Sequence, residues 1–347
     1  MLAATGLGVY KHGGETRGRY RDKQTLIGYK DMVSLLKNLF RVRKQKSAAI
    51  NSWVAIGGIL LLLMLGWLVT SCSLQPAASI TFPHIHGLAF SADGSQIIVP
   101  AHDGFRVYEN GAWRIPAEVP ARDYMGYSAV DAGFYSSGHP QPGTMEINPM
   151  GLVRSEDLGD SLIELGFEGE TDFHLMAAGF YNHAIYVINP SPNSELQAGL
   201  HYSLDDGQTW TPASASGLTA QPYALAVHPT DPNMVAMATG GGLFLSVDYG
   251  DSFSLIGPPN PAVAVSFSPF GDSLLFGAEG IYQYGLVDNE MTNLEIPALD
   301  SGDVILYITI SRANSDHMAM ATANLDIFYT TDGGDSWQAL ANNGQAQ

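Results

Sequence analysis

The sequence has almost no cysteine and, over most of its length, no lysine. One cysteine in 347 residues excludes a disulfide framework and a cysteine-based zinc site. Residues 73–347 contain no lysine and five arginines against 31 acidic residues, a net charge of about −26. Such a region repels phosphate backbones, which excludes nucleic acid as its expected partner. Charged residues make up only 14% of the chain, a composition typical of neither a disordered protein nor a coiled coil.

The beginning of the chain has the opposite charge. Its first 52 residues hold 11 lysines and arginines against three acids. A run of 19 uncharged residues then starts at Ser52, with Trp53 and Trp67 near its two ends, and this length suffices to cross a bilayer. We predict a transmembrane helix over residues 52–71, with the basic residues in the cytoplasm and the acidic region outside a bacterial plasma membrane.

Two further membrane features flank this run. Apolar residues at helical spacing over residues 30–46, with Lys and Arg opposite, predict an amphipathic helix on anionic lipid within a basic cytoplasmic segment, 1–51. Cys72 follows Val-Thr-Ser, which resembles a bacterial lipobox. The sequence leaves two alternatives, a lipidated Cys72 with the upstream segment removed or a retained signal anchor. Residues 72–81 are expected to be a linker.

A short pattern, S/T-x-D-x-G-x-S/T-aromatic, occurs four times in the acidic region, with Leu162 replacing the aromatic residue in the first copy. Its aspartates are Asp157, Asp205, Asp248 and Asp332, separated by 48, 43 and 84 residues. The pattern resembles the Asp-box, or BNR repeat, of sialidases, sortilin-type receptors and related β-propellers. In a tight turn the glycine can adopt positive φ and the carboxylate can accept backbone N–H groups, so these aspartates are expected to be structural.

The spacing also predicts the number of repeats. The last interval is about twice the others, and a decayed copy at Asp288 lies within it; a second decayed copy at Glu109 precedes the first turn. Six units of this length match four-stranded blades. We therefore predict an all-β, six-bladed β-propeller over residues 82–340, with residues 79–82 pairing with the last blade and a tail at 341–347.

Candidate functional side chains collect on the face opposite these turns. With the strands of a blade named A to D from the central channel outward, that face carries the B–C turns and the start of each strand A. It includes two long loops, at residues 136–151 and 190–199, where binding is expected. The predicted pocket residues at this channel mouth are His84, His86, His102, Met125, His139, Asp172 and His174.

Two chemistries are open to these residues besides a polar rim of hydrogen-bonded imidazoles. Histidines at the mouth can bind Cu or Zn, and the candidate ligands are His84, His86, His139 and His174. Glycoside hydrolysis needs a pair of carboxylates, and the candidates are Asp103, Asp123 and Asp172. The sequence does not select between them.

Residues 84–337 resemble a family of bacterial Asp-box propeller lipoproteins often labelled glycosyl hydrolase or exo-α-sialidase-like. The matching motifs are H-x-H-G-L from His84, D-x-M-G-x-S from Asp123, F-Y-S-S-G-H-P from Phe134, N-P-x-G-L from Asn148 and D-F-H from Asp172. The label implies a hydrolase. Sialidase chemistry, however, needs three arginines around a substrate carboxylate, and only Arg122 is expected near the mouth.

The function predicted from the sequence is a non-enzymatic binding or assembly module tethered to the outer face of the plasma membrane. Its expected partners are membrane lipid and an envelope protein or glycan, reached through the channel mouth and the long B–C loops. Asp-box propellers that assist photosystem assembly and sortilin-type receptors work in this way. The alternatives are a glycan-directed hydrolase and a Cu- or Zn-binding protein. No nucleotide-binding or nucleophile motif is present to indicate another class of enzyme.

Overall fold

A computed structural model of the protein describes residues 79–347, which fold into six antiparallel sheets. No helix in this range is long and apolar enough to cross a membrane. The predicted transmembrane helix at 52–71, the amphipathic helix at 30–46 and Cys72 lie outside the described residues.

Each sheet is a meander, because its strands follow one another in chain order. Strands A of successive sheets contact each other around a ring, so the architecture is the predicted six-bladed, all-β propeller. The strands of blades 1 to 3 are β1 (Ala89–Phe90), β2 (Ile97–Ala101), β3 (Gly104–Glu109), β4 (Ala112–Arg114), β5 (Asp123–Val130), β6 (Gly133–His139), β7 (Leu152–Ser155), β8 (Ile163–Gly166), β9 (Met176–Ala178), β10 (Ile185–Asn189), β11 (Gly199–Ser203) and β12 (Thr211–Pro212). Those of blades 4 to 6 are β13 (Pro222–Val227), β14 (Val235–Thr239), β15 (Gly242–Ser246), β16 (Ser254–Ile256), β17 (Ala264–Phe267), β18 (Ser273–Gly277), β19 (Ile281–Gly285), β20 (Met291–Leu294), β21 (Ile305–Ile310), β22 (Met318–Thr322), β23 (Ile327–Thr330), β24 (Gln338–Asn342) and β25 (Gln345–Ala346).

The apolar residues form the core between blades. Strands B such as β14 and β22 are buried at every position, because neighbouring blades cover both of their faces. Strands D are largely exposed, as in β12. Six separate apolar clusters result, one at each contact between adjacent blades. The stability of the ring is therefore shared among six similar interfaces.

The repeated sequence pattern forms the C–D turn in four blades. In blade 6, Oδ1 of Asp332 accepts hydrogen bonds from the Thr330 hydroxyl at 2.7 Å and the Ser336 amide at 2.9 Å, and Oδ2 accepts one from the Ser336 hydroxyl at 2.6 Å. Thr330 Oγ1 also accepts the amide of Gly334, whose φ is 99°. The same arrangement surrounds the aspartates of the other three turns, Asp157, Asp205 and Asp248.

The two ends of the described chain close the ring. Thr81 pairs antiparallel with Gln345, and the Phe82 amide donates to the carbonyl of Gly344 at 2.8 Å. The prediction that residues 79–82 pair with the last blade is confirmed. Residues 341–347, expected to be a tail, instead complete β24 and form β25, because the last blade has a fifth strand that receives the incoming segment.

A channel of about 230 Å³ runs along the strands A at the centre of the ring. Since all six strands A run in the same direction, their first residues lie at one end and their last residues at the other. The B–C turns share the first end, and the A–B and C–D turns, including the aspartate turns, share the second. The two faces of the propeller are therefore chemically different.

Candidate functional site

The channel end on the B–C face, here called the B–C mouth, is built from the starts of the strands A. Its lining includes His86 from blade 1, Met125 from blade 2, His174 from blade 3, Tyr223 from blade 4 and Leu306 from blade 6. The sequence placed the first three of these residues at this mouth.

Local irregularities of the strands point some of these side chains into the channel. The pairing of strands A and B skips one residue in blades 2, 4 and 6, at Met125, Tyr223 and Leu306. A bulge of this kind re-aims a side chain that regular alternation would direct elsewhere. All three bulged residues line the channel.

Three imidazoles form a compact cluster at the mouth, here called the histidine cluster: His84, His86 and His102. Their ring centroids are 4.4 to 4.8 Å apart. Asp123, the first residue of β5, approaches from blade 2, with Oδ2 at 2.6 Å from Nδ1 of His102 and Oδ1 at 3.3 Å from Nε2 of His86. His84 and His102 are exposed and His86 is buried. Solvent therefore reaches the cluster through His84 and His102, whereas His86 closes it towards the protein interior.

The buried member of the cluster has an altered pKa. Burial, reinforced by the neighbouring imidazoles of His102, His84 and His174, lowers the pKa of His86 to about 4. His86 is therefore neutral at physiological pH, with a free lone pair on one ring nitrogen.

A second group of polar side chains lies at the same mouth around Asp172. Its Oδ2 is 2.7 Å from Nε2 of His174 and 3.2 Å from Nε2 of His139. The other nitrogen of His139 lies 2.6 Å from Oδ1 of Asn148, in the long blade-2 loop. Asn148 was not among the predicted site residues, although it belongs to one of the motifs behind the family resemblance.

The structure therefore groups the predicted residues differently from the metal set proposed above. His84 and His86 gather with His102 and Asp123, whereas His139 and His174 gather on Asp172. The two groups are neighbours, because Asp123 and His139 are directly paired across β5 and β6.

Asp103, the remaining carboxylate candidate, belongs to neither group. It binds the buried guanidinium of Arg106 at 2.8 Å, and this arginine also donates to the carbonyl of Thr81 at 2.9 Å. Arg106 thus ties the ring-closing segment to blade 1, and Asp103 is its counter-ion.

Both acidic groups at the mouth keep one carboxylate oxygen without a hydrogen bond. Oδ1 of Asp123 and Oδ1 of Asp172 are inaccessible to solvent and have no hydrogen-bond partner among residues 79–347. A buried carboxylate oxygen without a donor costs free energy, so such atoms are uncommon in folded proteins. Their position beside imidazoles marks the mouth as a place where a cation or donor group would be stabilised.

The long blade-2 loop, residues 140–151, stands beside this mouth. Its base is fixed by Glu146, which binds the nearly buried Arg122 at 2.7 Å, and by Asn148 against His139. Next to these anchors, the side chains of Met145, just before Glu146, and Ile147, between Glu146 and Asn148, are 100% and 53% exposed. The loop therefore presents apolar side chains from a fixed base.

The arginines do not form the triad of a sialidase. Within residues 79–347, the four that pair with carboxylates do so at separate places, and the fifth, Arg312, binds the carbonyls of Phe267 and Ser268 at the opposite end of the channel. The four pairings are Arg106 with Asp103, Arg114 with Glu109, Arg122 with Glu146, and Arg154 with Glu156 and Asp206.

The fold and this mouth define the class of protein as a six-bladed β-propeller with a polar, histidine-rich opening on one face. No protein-family model matches the sequence, and no curated protein matches it. Solved structures share the β-propeller fold.

A GH74 enzyme from Niastella koreensis is 13% identical, with a TM-score of 0.52 over 76% of this chain and 46% of the enzyme. An ancestral GH74 enzyme is 12% identical, with a TM-score of 0.47 over 77% of this chain and 40% of that one. YCF48 bound to D1 peptide is 14% identical, with a TM-score of 0.46 over 77% of this chain and 85% of that one. The chain spans less than half the length of the two GH74 enzymes. The likeness to the enzyme from Niastella koreensis establishes the propeller fold alone.

Proposed function

We propose that the protein is a binding module that holds an envelope partner, a protein or a glycan, at the B–C mouth and the adjoining blade-2 loop. The observation that carries this proposal is the concentration of polar side chains from three blades at one channel end, beside a fixed loop with exposed apolar residues. Concave sites with a few convergent polar groups are the usual binding sites of such folds.

The proposal includes a location. The uncharged run at residues 52–71 and the basic residues before it favour an anchored propeller outside a bacterial plasma membrane. We further propose that the four aspartate turns are Asp-boxes and that the chain belongs among Asp-box propellers. The hydrogen-bond pattern around Asp157, Asp205, Asp248 and Asp332 supports this assignment.

Hydrolysis of glycans is less well supported by the same geometry. Asp123 and Asp172 each lie against two imidazoles, and Asp103 is held by Arg106, so every candidate carboxylate already has partners. A glycosidase needs one carboxyl group free to protonate the leaving group and a second free to attack or to activate water.

Site-specific photo-crosslinking tests the binding proposal. We expect a crosslinker at Met145 in the full-length protein, in membranes of the producing cell, to form a discrete adduct with an envelope protein or glycan, because this residue is fully exposed beside the mouth. The matched control is a crosslinker at Phe270, which is 80% exposed but lies in the blade-5 A–B turn on the opposite face. Adducts of equal yield from both positions, or from neither, would contradict the proposal.

A further inference from the structure

We propose that His84, His86, His102 and Asp123 form a binding site for one divalent transition-metal ion, Zn²⁺ or Cu²⁺. The inference deepens the proposed function, since it rests on the same channel mouth being a binding site and names one ligand for it.

The ligand atoms come from three parts of the chain that the fold brings together. His84 and His86 lie on the segment that enters blade 1 after the ring is closed, His102 lies in the B–C turn of blade 1, and Asp123 begins β5 in blade 2. One nitrogen from each imidazole lies within 4.8 Å of the others. In a tetrahedral site with metal–nitrogen bonds of about 2.0 Å, the ligand atoms are about 3.3 Å apart. Nε2 of His86 and Nδ1 of His102, 3.1 Å apart, are already close to that spacing.

The contacts within the cluster provide a second, independent observation. Nε2 of His86 and Nδ1 of His102 face each other at 3.1 Å, and both are directed at the carboxylate of Asp123. Oδ1 of Asp123 is nevertheless buried and without a hydrogen bond among the described residues. A divalent cation bound between these atoms, with release of the proton that Nδ1 of His102 donates to Asp123, would give the carboxylate oxygen and the two facing nitrogens a common partner.

The donor set selects the kind of metal. Three imidazoles and one carboxylate suit Zn²⁺ and Cu²⁺, whereas Ca²⁺ and Mg²⁺ require mainly oxygen ligands. The contribution of a different blade through Asp123 means that a bound ion would also link blades 1 and 2. Because His84 and His102 are exposed, an ion can reach the site from solvent.

The neighbouring group around Asp172 is better suited to positioning than to coordination. His139 is held by both Asp172 and Asn148, so each of its ring nitrogens already has a partner. We therefore leave His139 and His174 outside the ligand set.

Metal content of the purified full-length protein tests the inference. After removal of metal with a chelator, the detergent-solubilised chain is dialysed against Zn²⁺ or Cu²⁺ and its bound metal is measured by mass spectrometry, with titration calorimetry for affinity. We expect one ion per chain, and at least about a tenfold loss of affinity in His84→Ala and in His102→Ala. The side chain of His84 is exposed and makes no hydrogen bond among residues 79–347, so His84→Ala should leave thermal unfolding of the metal-free protein unchanged.

The matched control is His317→Ala. His317 lies in the A–B turn of blade 6, on the opposite face, where its imidazole contacts Tyr329. This variant should retain the full affinity. In the Cu²⁺-loaded wild type, electron paramagnetic resonance should show coupling to several nitrogens that weakens in His102→Ala. Equal metal content in wild type, His84→Ala and His102→Ala would overturn the inference, as would loss of metal in the double variant His139→Ala/His174→Ala with full retention in His102→Ala.

These results are separable from those of the crosslinking experiment. Metal binding is measured on the purified chain and partner binding on membranes. Absence of metal with a discrete Met145 adduct would remove the inference alone, and metal binding without an adduct would remove the partner proposal alone.

Discussion

At the scale of single residues, the aspartate turns show how a short side chain stabilises a tight reversal of the chain. Hydrogen bonds from the hydroxyls of Ser336 and Thr330, together with the Ser336 amide, lower the pKa of Asp332 from 3.8 to about 2. The donors favour the ionised carboxylate, and the favourable interaction exists only in the folded protein.

We predict that Asp332→Asn lowers the midpoint of thermal unfolding by a few degrees at neutral pH. The folded-state pKa of Asp332 lies below its unfolded value, so the stabilisation is complete above about pH 4 and is lost as the pH falls towards 2. The difference between wild type and variant should therefore shrink over that range, as measured by calorimetry from pH 6 to 2.

Asp335→Asn is the matched control, because Asp335 is exposed, lies three residues away and makes no side-chain hydrogen bond within residues 79–347. It removes the same charge without removing a turn contact. A similar loss of stability in both variants would show that general charge, not the turn, is responsible.

Which titratable side chains meet at the mouth was only partly predictable from sequence. The alternation of His84 and His86 along the chain predicted that they share one side. The sequence also placed His102 at the same mouth, but it grouped His84 and His86 as metal ligands with His139 and His174. His139 ends β6, and its ring instead contacts Asn148 of the blade-2 loop and Asp172 at the start of blade 3. The path of the irregular loop that brings Asn148 there is not encoded in a periodic pattern.

At the scale of strands and blades, the close approach of neighbouring strands A depends on small side chains. Gly126 in β5 is buried, and a Cβ atom there would overlap the carbonyl oxygen of Phe173 and lie 2.7 Å from Cγ of Met176 at the start of blade 3. The contact between blades 2 and 3 therefore has no room for a methyl group.

We predict that Gly126→Ala destabilises the protein by about 3 kcal/mol, because the backbone of one blade must move away from the next. Urea unfolding monitored by tryptophan fluorescence gives the change in the free energy of unfolding. Gly280→Ala is the control, since nothing lies within 4 Å of a Cβ at Gly280, and its effect should stay within about 0.5 kcal/mol. Equal midpoints for the two variants would contradict the proposed closeness of blades 2 and 3.

The arrangement of the elements was more predictable than the site. The repeated turns mark where strand C ends and strand D begins in each blade. Strands A and B must then occupy the residues that remain between one such turn and the next. The decayed copies are also C–D turns: Asn110 and Gly111 join β3 to β4, and Asp288 lies between β19 and β20. No repeated pattern predicts bulges such as the one at Met125, because one extra residue in a strand leaves the hydrophobic pattern nearly unchanged.

At the scale of the whole molecule, the ring is held by contacts between its first and last segments. Phe82 is buried, packs edge-on against Trp113 at 4.8 Å, and bonds through its amide to Gly344. Trp113 in turn donates to the carbonyl of Leu340 at 2.8 Å. Blade 1 and blade 6 therefore share one core across the point of closure.

We predict that Phe82→Ala destabilises the propeller by about 3–5 kcal/mol, through lost burial and the cavity left between blades 1 and 6. Chemical denaturation gives the free energy of unfolding. Phe270→Ala, at an exposed position, removes the same side chain and should change it by less than about 0.5 kcal/mol. A small effect at Phe82 would mean that the segment adds little to closure.

Closure by a C-terminal strand has a consequence for biosynthesis. His84 and His86 follow directly after the segment that β25 holds in place, so this segment gains its last contacts only once β25 has been synthesised and has joined the sheet. Prematurely terminated products lack this support for the cluster. The metal site proposed above would therefore gain this support late in synthesis, and metal loading would distinguish molecules that contain β25 from those that lack it.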